Sequence, residues 1–133
     1  MTRIPDSQTI DDYIDAVKLQ LVASPVVKNY KILRERSTQD EGYLCIQIEL
    51  MNNDILDVAE YFEVRLEKIE TIDYRYHWMD ASNQLRCRWD NAPHHPSLDN
   101  FPHHIHQASE DNVLPGVVMN LIQLLDHVAN EVS

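Results

Sequence analysis

The middle of the chain alternates between apolar and polar residues with a period of two, which is the pattern of β-strands that bury one face. Leu44, Ile46 and Ile48 show the alternation clearly, and Asn52-Asn53-Asp54 after them is typical of a turn between two strands. The pattern predicts an antiparallel meander of about five strands within residues 28–91. The predicted strands are residues 28–36, 43–50, 56–66, 72–79 and 85–90.

The predicted turn at residues 81–84 sets the register of the last two strands. A four-residue hairpin loop would pair Asp80 with Leu85. Apolar residues would then face apolar residues and acidic residues would face basic ones, which is how register is normally selected. The resulting pairs are Tyr76 with Trp89, His77 with Arg88, and Arg75 with Asp90.

Both ends of the chain have the spacing of amphipathic helices. Residues 9–23 place apolar side chains at helical intervals, and Thr9 with Asp12 resembles a capping box at the start. Residues 114–132 predict a second, broadly apolar helix with Pro115 in its first turn. We therefore expect an α+β fold, with an N-terminal helix, an antiparallel sheet and a C-terminal helix.

The 133 residues fit a single domain over residues 1–133, and the formal net charge of −11 excludes a basic nucleic-acid-binding surface spread over the whole chain. The acidic excess is concentrated in residues 37–73, which hold ten acidic residues against two basic ones. Residues 74–106 are formally neutral and hold six of the seven histidines. A local RNA-binding site in that segment is therefore compatible with the charge.

The chain shows no targeting or membrane signal. No apolar run reaches the roughly 18 residues that span a bilayer, and residues 1–6 lack the apolar region of an export signal. Cys45 and Cys87 are far apart and form no CxxC motif, so we expect two free thiols in a reducing compartment. These features predict a cytoplasmic protein that does not enter a membrane.

The densest chemical feature is a histidine-rich loop, framed by prolines and predicted over residues 90–106. Proline restricts the backbone, so imidazoles on such a loop are positioned at low entropic cost. Histidine accepts and donates protons near neutral pH and is also a common metal ligand. The histidines of this loop are His94, His95, His103, His104 and His106.

Three interpretations of these histidines are open. In the first, they include a general acid and a general base for RNA cleavage, and neighbouring arginines stabilise the phosphate charge in the transition state. In the second, they bind a divalent metal such as zinc with Asp90 or Glu60 as an oxygen ligand, although their spacing is not a standard zinc motif. In the third, they form structural hydrogen bonds or bind a partner protein. The cofactor is therefore either none or a divalent metal. The predicted substrate contacts are Arg75, His77, Arg86, Arg88, Asp90 and Asn91.

Glu60 departs from the alternation because it occupies an apolar position between Val58 and Phe62. A carboxylate on a core face is unfavourable unless it is paired or protonated. Glu60 is therefore a candidate catalytic base or metal ligand. The alternative is a strand whose phase slips at a bulge, or a sheet face that is partly wet.

Three motifs in residues 74–106 occur together at a specific spacing. They are Tyr74-x-Tyr76-His77-Trp78, then Arg88-Trp89-Asp90-Asn91-Ala92-Pro93-His94-His95-Pro96, then Phe101-Pro102-His103-His104-x-His106. Together they resemble the TumE-type toxin family of prokaryotic toxin–antitoxin systems, and the similarity extends over roughly residues 28–106, including Glu60-Tyr61. The resemblance implies a small cytosolic toxin encoded beside an antitoxin with a helix-turn-helix domain. It brings no catalytic assignment with it.

The leading interpretation is therefore the toxin of a toxin–antitoxin pair, acting as a ribonuclease-like enzyme through histidine acid–base chemistry, with the antitoxin and RNA as partners. One alternative is a non-enzymatic interaction protein that binds a basic partner through its acidic surface and the apolar helix 114–132. Another is a metal-dependent enzyme that acts on a different small substrate. A homo-oligomer is compatible with each interpretation.

Overall fold

A computed structural model describes residues 8–132 of the chain. The first seven residues, where the sequence shows no export signal, lie outside this range. Helix α1 (Ile10–Ala23) comes first, and helix α2 (Leu121–Val132) comes last. The strands between them are β1 (Val27–Ser37), β2 (Glu41–Leu50), β3 (Ile55–Arg65), β4 (Lys68–Met79), β5 (Leu85–Asp90), β6 (His104–Gln107) and β7 (Val113–Pro115).

The seven strands form one antiparallel sheet in chain order, from β1 to β7. This arrangement confirms the predicted fold class, with two more strands than the five or so expected. The additional strands β6 and β7 are short and contain histidine and proline, so they lack the regular alternation that reveals a half-buried strand. The loop predicted over residues 90–106 therefore ends in strand β6, which begins at His104.

The apolar residues of both helices and of one sheet face form a common core. Val17 of α1, Ile46, Val58 and Tyr76 of the sheet, and Leu124 of α2 each expose 2% or less of their surface. Burial of a large apolar side chain contributes roughly 1.5–3 kcal/mol, so this core holds both helices against the same face. Because the apolar face of α2 lies in the core, it does not form a free partner surface.

The cap predicted for α1 is confirmed, whereas the predicted start of α2 is wrong. The Thr9 hydroxyl accepts a hydrogen bond from the Asp12 N–H at 3.0 Å. The C-terminal helix begins at Leu121, not at residue 114, because Asn120 and Gln123 form a reciprocal capping box. The Asn120 side chain accepts from the Gln123 N–H at 2.8 Å, and the Gln123 side chain accepts from the Asn120 N–H at 2.9 Å.

The segment before α2 belongs to the sheet instead. Pro115 ends β7 opposite His104 and does not lie in a helical first turn. Proline is tolerated there because β7 is the edge strand of the sheet. Gly116 follows at a close approach, where an added Cβ would lie 3.2 Å from the His104 backbone.

The register predicted between β4 and β5 is confirmed over most of its length. Arg75 pairs with Asp90, and the next two predicted pairs follow in step. The pairing of Asp80 with Leu85 is wrong, because Leu85 pairs with Met79 after a register shift. The Asp80 carboxylate instead accepts hydrogen bonds from the N–H groups of residues 82 and 84, at 2.8 and 3.0 Å, and so builds the turn itself.

The helices lie on one face of the sheet, and we call the other face the open face. Antiparallel register aligns two neighbouring rows of side chains across it. The first row is Cys45, Ala59, Arg75, Asp90 and His104. The second row is Gln47, Asp57, His77, Arg88 and His106. The fold thus brings residues from five strands, far apart in sequence, to one surface.

Candidate functional site

A cleft of about 450 Å³ lies on the open face. Its floor is formed by strand residues, and the segment that follows β5 forms one side. Four of the five histidines predicted as catalytic border it, together with two of the predicted arginines. The residues concerned are Arg75, Arg88, His94, His95, His104 and His106.

Three imidazoles converge in this cleft. One nitrogen each of His95, His104 and His106 lies within 4.8 Å of the others. The ring centres are 4.9 Å apart for His95 and His104, 5.9 Å for His95 and His106, and 4.9 Å for His104 and His106. His104 and His106 meet because alternate residues of a strand point to the same face. They are buried, at 2% and 6% exposed, whereas His95 is only half-buried.

Asp90 stands beside the buried pair. Its Oδ1 lies 2.8 Å from His104 Nε2, and its Oδ2 lies 3.7 Å from His106 Nε2. The other ring nitrogens face backbone carbonyls: His104 Nδ1 is 2.9 Å from the Pro102 oxygen, and His106 Nδ1 is 2.9 Å from the Glu110 oxygen. Since a carbonyl only accepts, it assigns a proton to each Nδ1 and turns each Nε2 toward the centre of the cluster.

Arg88 holds the carboxylates around this cluster. Its Nε donates to Asp90 at 3.2 Å, and its two terminal nitrogens donate to Glu110 at 2.6 and 2.7 Å. A bidentate arginine–carboxylate pair fixes geometry as well as charge. The Arg88 hydrogen bond lowers the pKa of Glu110, so that this carboxylate stays ionised. The guanidinium therefore positions Asp90 and Glu110.

Arg75 differs from Arg88 because its charge is uncommitted. It lines the cleft next to Asp90 on the neighbouring strand, and its side chain is exposed. Within residues 8–132 its guanidinium forms no ion pair. Such a group can bind an anionic ligand without first breaking an internal contact.

Besides Glu60 and the cleft residues already named, four of the predicted residues lie outside the imidazole cluster. His103 contacts the Tyr74 hydroxyl at 2.9 Å on the helix-covered side. Arg86 pairs with Asp54 at 2.7 Å. Asn91 donates to the Ile72 carbonyl at 2.7 Å and accepts from the Tyr74 N–H at 3.1 Å, which anchors the start of the segment after β5. The fourth is His77, discussed next.

His77 lies on the open face but does not border the cleft. Its Nδ1 is buried and finds no hydrogen-bond partner in the described part of the chain. Burial lowers the pKa of His77, and the nearby Arg75 and Arg88 lower it further. The imidazole is therefore a neutral strand residue in this arrangement.

Glu60 keeps the phase of β3 and points to the helices, so its side chain is separated from the histidines by the sheet. It is fully buried. It accepts hydrogen bonds from the Tyr13 and Tyr76 hydroxyls, from the Thr71 hydroxyl at 3.2 Å and from the Leu121 N–H at 3.1 Å. Burial raises the pKa of the Glu60 carboxyl. These contacts tie both helices to the centre of the sheet.

Glu110 is the site residue that the sequence did not indicate. Its backbone carbonyl fixes His106, and its side chain pairs with Arg88. It comes from the turn between β6 and β7, in which Ala108 has a positive φ of 64°. An acidic residue in a polar turn carries no pattern that would have distinguished it.

The chain belongs to the TumE toxin family, whose sequence model, described as Toxin TumE, matches residues 15–133. No curated protein and no solved structure shows significant similarity to the chain. Among the described residues, no helix is long and apolar enough to cross a membrane. Membership of this family implies a cognate antitoxin as the partner.

Proposed function

We propose that this toxin cleaves RNA in the open-face cleft. The observation that carries the proposal is the convergence of His95, His104 and His106 beside an arginine whose charge is free. An imidazole cluster can move protons or hold a metal ion, and a guanidinium in the same cleft can bind the phosphate on which either chemistry would act.

The substrate phosphate would bind to Arg75. Arg75 is exposed at the cleft, whereas the charge of Arg88 is already shared between Asp90 and Glu110. Arginine matches the geometry of a phosphate with two parallel donors. Arg88 therefore acts as a positioning residue, and Arg75 is the residue we assign to substrate.

In acid–base cleavage without a bound metal, His95 and His94 would carry the protons. Both line the cleft at the segment after β5, where a ligand can reach them. One imidazole would take the proton of the 2′-hydroxyl, and the other would return a proton to the leaving oxygen. His104 and His106 are buried and held by backbone carbonyls, so they would orient the cluster.

The test is incubation of the untagged full-length chain with end-labelled single-stranded RNA, in EDTA and separately with added Zn²⁺. We expect cleavage by the wild type and by His103→Ala, whose imidazole lies on the helix-covered side. We expect loss of cleavage in His95→Ala. Intact RNA after incubation with the folded wild type, both in EDTA and with Zn²⁺, would overturn the proposal.

A second candidate is a metal-dependent enzyme that acts on another small anionic substrate. The three convergent imidazoles and the free charge of Arg75 favour it, since neither feature is specific for RNA. Hydrolysis of a chromogenic phosphodiester in the presence of Zn²⁺, with RNA left intact, would select this candidate. Cleavage of RNA at a higher rate than the chromogenic compound would exclude it.

We further propose that the antitoxin is a helix-turn-helix protein and that the pair acts in the cytoplasm. The resemblance over residues 74–106 supports both statements. Co-expression of the toxin with the product of the adjacent reading frame tests them. We expect a co-purifying complex from the cytoplasmic fraction, and toxin that purifies alone would contradict this.

A further inference from the structure

We propose that His95, His104 and His106 bind a divalent transition-metal ion on the open face, with Asp90 beside them as an oxygen ligand. Zinc is the ion that fits best. The inference goes beyond the proposed RNA cleavage and does not depend on it, because it follows from the contacts of the cluster alone.

The hydrogen-bond donors and acceptors around His104 do not match. Its Nδ1 faces the Pro102 carbonyl at 2.9 Å, and its Nε2 faces the Asp90 carboxylate at 2.8 Å. Both neighbours are acceptors, and a neutral imidazole has only one N–H. With the proton on Nδ1, the Nε2 lone pair points at a carboxylate oxygen. A cation bound to Nε2 beside the carboxylate, with the two atoms moved slightly apart, would satisfy both groups.

His106 presents a second ring nitrogen to the same place. Its Nδ1 faces the Glu110 carbonyl at 2.9 Å, and its Nε2 lies 3.7 Å from the other oxygen of Asp90, beyond hydrogen-bond distance. Both buried rings, whose centres are 4.9 Å apart, thus turn an Nε2 toward the same carboxylate. One shared cation would bind both nitrogens beside Asp90.

The backbone contacts of His104 and His106 are those typical of metal-bound histidines. A metal-bound histidine usually donates its other N–H to a backbone carbonyl or a carboxylate, which fixes the ring and its tautomer. His104 and His106 both do so. His95 completes the set from the opposite side, because its side chain has no hydrogen-bond partner within the described ranges and can adjust toward the ion.

The donor set selects zinc over the alkaline-earth ions. Three imidazole nitrogens and one carboxylate oxygen suit Zn²⁺, which binds four ligands in a tetrahedron at about 2.0–2.2 Å. Calcium and magnesium prefer oxygen ligands in larger number. The candidate nitrogens lie within 4.8 Å of one another, so adjustments of the three side chains would bring them to bonding distance of one ion.

A bound ion would also change the electrostatics of the cleft. The chain carries a formal net charge of −11, and the carboxylate nearest the cluster is Asp90. A divalent cation bound by these histidines beside Asp90 would make this part of the open face more positive. An anionic substrate could then approach a protein that would otherwise repel it.

The test measures metal binding directly, with no RNA present. The untagged full-length chain is treated with EDTA, freed of the chelator and titrated with Co²⁺, whose absorption reports tetrahedral coordination, and with Zn²⁺ in a calorimeter. We expect one ion per chain and an increased thermal unfolding midpoint. In His104→Ala and in His106→Ala we expect the affinity to fall by at least about 100-fold, since changes even outside the ligand set reduce affinity by about 10–100-fold.

The matched control is His103→Ala, which removes the imidazole next to His104 on the other side of the sheet. It should bind Co²⁺ with the spectrum and stoichiometry of the wild type. Circular dichroism verifies that each variant is folded. Absence of Co²⁺ and Zn²⁺ binding by the folded wild type, or equal weakening in His103→Ala and His104→Ala, would overturn the inference. Failure here leaves the RNA assay to decide the proposed function, because cleavage in EDTA does not require a bound metal.

Discussion

Two buried carboxylates lie on opposite faces of the same sheet, and they differ in what surrounds them. On the helix-covered face, Glu60 meets only groups that donate to it, including the hydroxyls of Tyr13 and Tyr76 and the N–H of Leu121. Its hydrogen bonds are therefore complete within the part of the chain that the structure describes. Glu60 functions as an internal tie between the helices and the sheet.

On the open face, Asp90 is only partly satisfied. Arg88 and the Ala92 N–H donate to it, but the two imidazoles next to it already donate their Nδ1 protons to backbone carbonyls. The cluster borders a cleft open to solvent. Burial of a charged residue therefore does not by itself indicate function. What distinguishes the two carboxylates is whether the neighbouring groups complete their hydrogen bonds.

The largest expected effect is on stability, from removing Glu60, whose hydrogen bonds are complete. Glu60→Ala removes the acceptor of the Tyr13 and Thr71 hydroxyls, whereas the Tyr76 hydroxyl and the Leu121 N–H each keep one other acceptor. Because the lost acceptor is buried, we expect the free energy of unfolding to fall by about 3–5 kcal/mol. Urea unfolding measures it. Asp57→Ala is the matched control, because Asp57 is an exposed acid on the open face of the same strand and should change stability by less than about 0.5 kcal/mol. Equal effects of the two substitutions would contradict the structural role assigned to Glu60.

The next effect is on activity, from removing the free charge at the cleft. Arg75→Ala should reduce RNA cleavage by about 100-fold, since loss of one donor to a developing negative charge is worth about 2.7–4 kcal/mol. Stability should stay within about 0.5 kcal/mol of the wild type, because Arg75 is exposed. Lys68→Ala, an exposed cation at the start of β4, is the control. Unchanged cleavage in Arg75→Ala would show that the phosphate binds elsewhere.

A smaller effect is expected from the residue that positions the open-face cluster. Arg88→Gln keeps a polar side chain but removes the bidentate contact with Glu110 and most of the hold on Asp90. We expect Co²⁺ affinity to fall by about 10-fold, the lower end of the range for groups that orient metal ligands. The midpoint of the Co²⁺ titration measures this change in affinity. A loss as large as that in His104→Ala would mean that Arg88 maintains the fold of the site and not only its orientation.

The smallest effect is a pH dependence at Glu60. Burial raises the pKa of this carboxyl in the folded chain above its unfolded value of about 4.3. A raised pKa gives a stabilising contribution that is complete below the unfolded pKa and is lost as pH rises through the folded pKa. The stability advantage of the wild type over Glu60→Gln should therefore be largest near pH 4 and decline as pH rises.

Urea unfolding of both proteins at a series of pH values measures this trend. Because the comparison is between two variants at each pH, titration of the other groups largely cancels. An advantage that grows with pH would show that the four donors around Glu60 stabilise its ionised form more strongly than burial opposes it.

The strands and most of their register could be predicted, because alternation leaves few alternatives. A shift of one residue would have turned Trp89 to the open face and Asp90 into the core. The same alternation explains why His104 and His106 share a face. The alternation could not be applied to His104 and His106 before β6 was known to be a strand. A short run of polar residues near the edge of a sheet does not indicate a strand.

The partners of the buried groups could not be predicted, because they are distant in sequence. Glu60 was indicated by its charge at an apolar position, but its contact with Tyr13 joins residues 47 positions apart. The start of α2 had a local signal in Asn120 and Gln123, and it was outweighed by the apolar residues that precede it. Predicting the site required both the sequence motif and the sheet topology. The motif identified the histidines, and the sheet topology determines on which face each histidine lies.

We expect that the imidazoles on the open face, and not the histidine motif as a whole, make the chain toxic. His103 and His104 are adjacent in sequence and lie on opposite sides of the sheet, so they form a matched pair. The most direct test is growth of a bacterial host after induction of the wild type, His103→Ala and His104→Ala at equal protein levels. We predict growth arrest by the wild type and His103→Ala, and normal growth with His104→Ala. Growth arrest by His104→Ala to the extent of the wild type would contradict the claim.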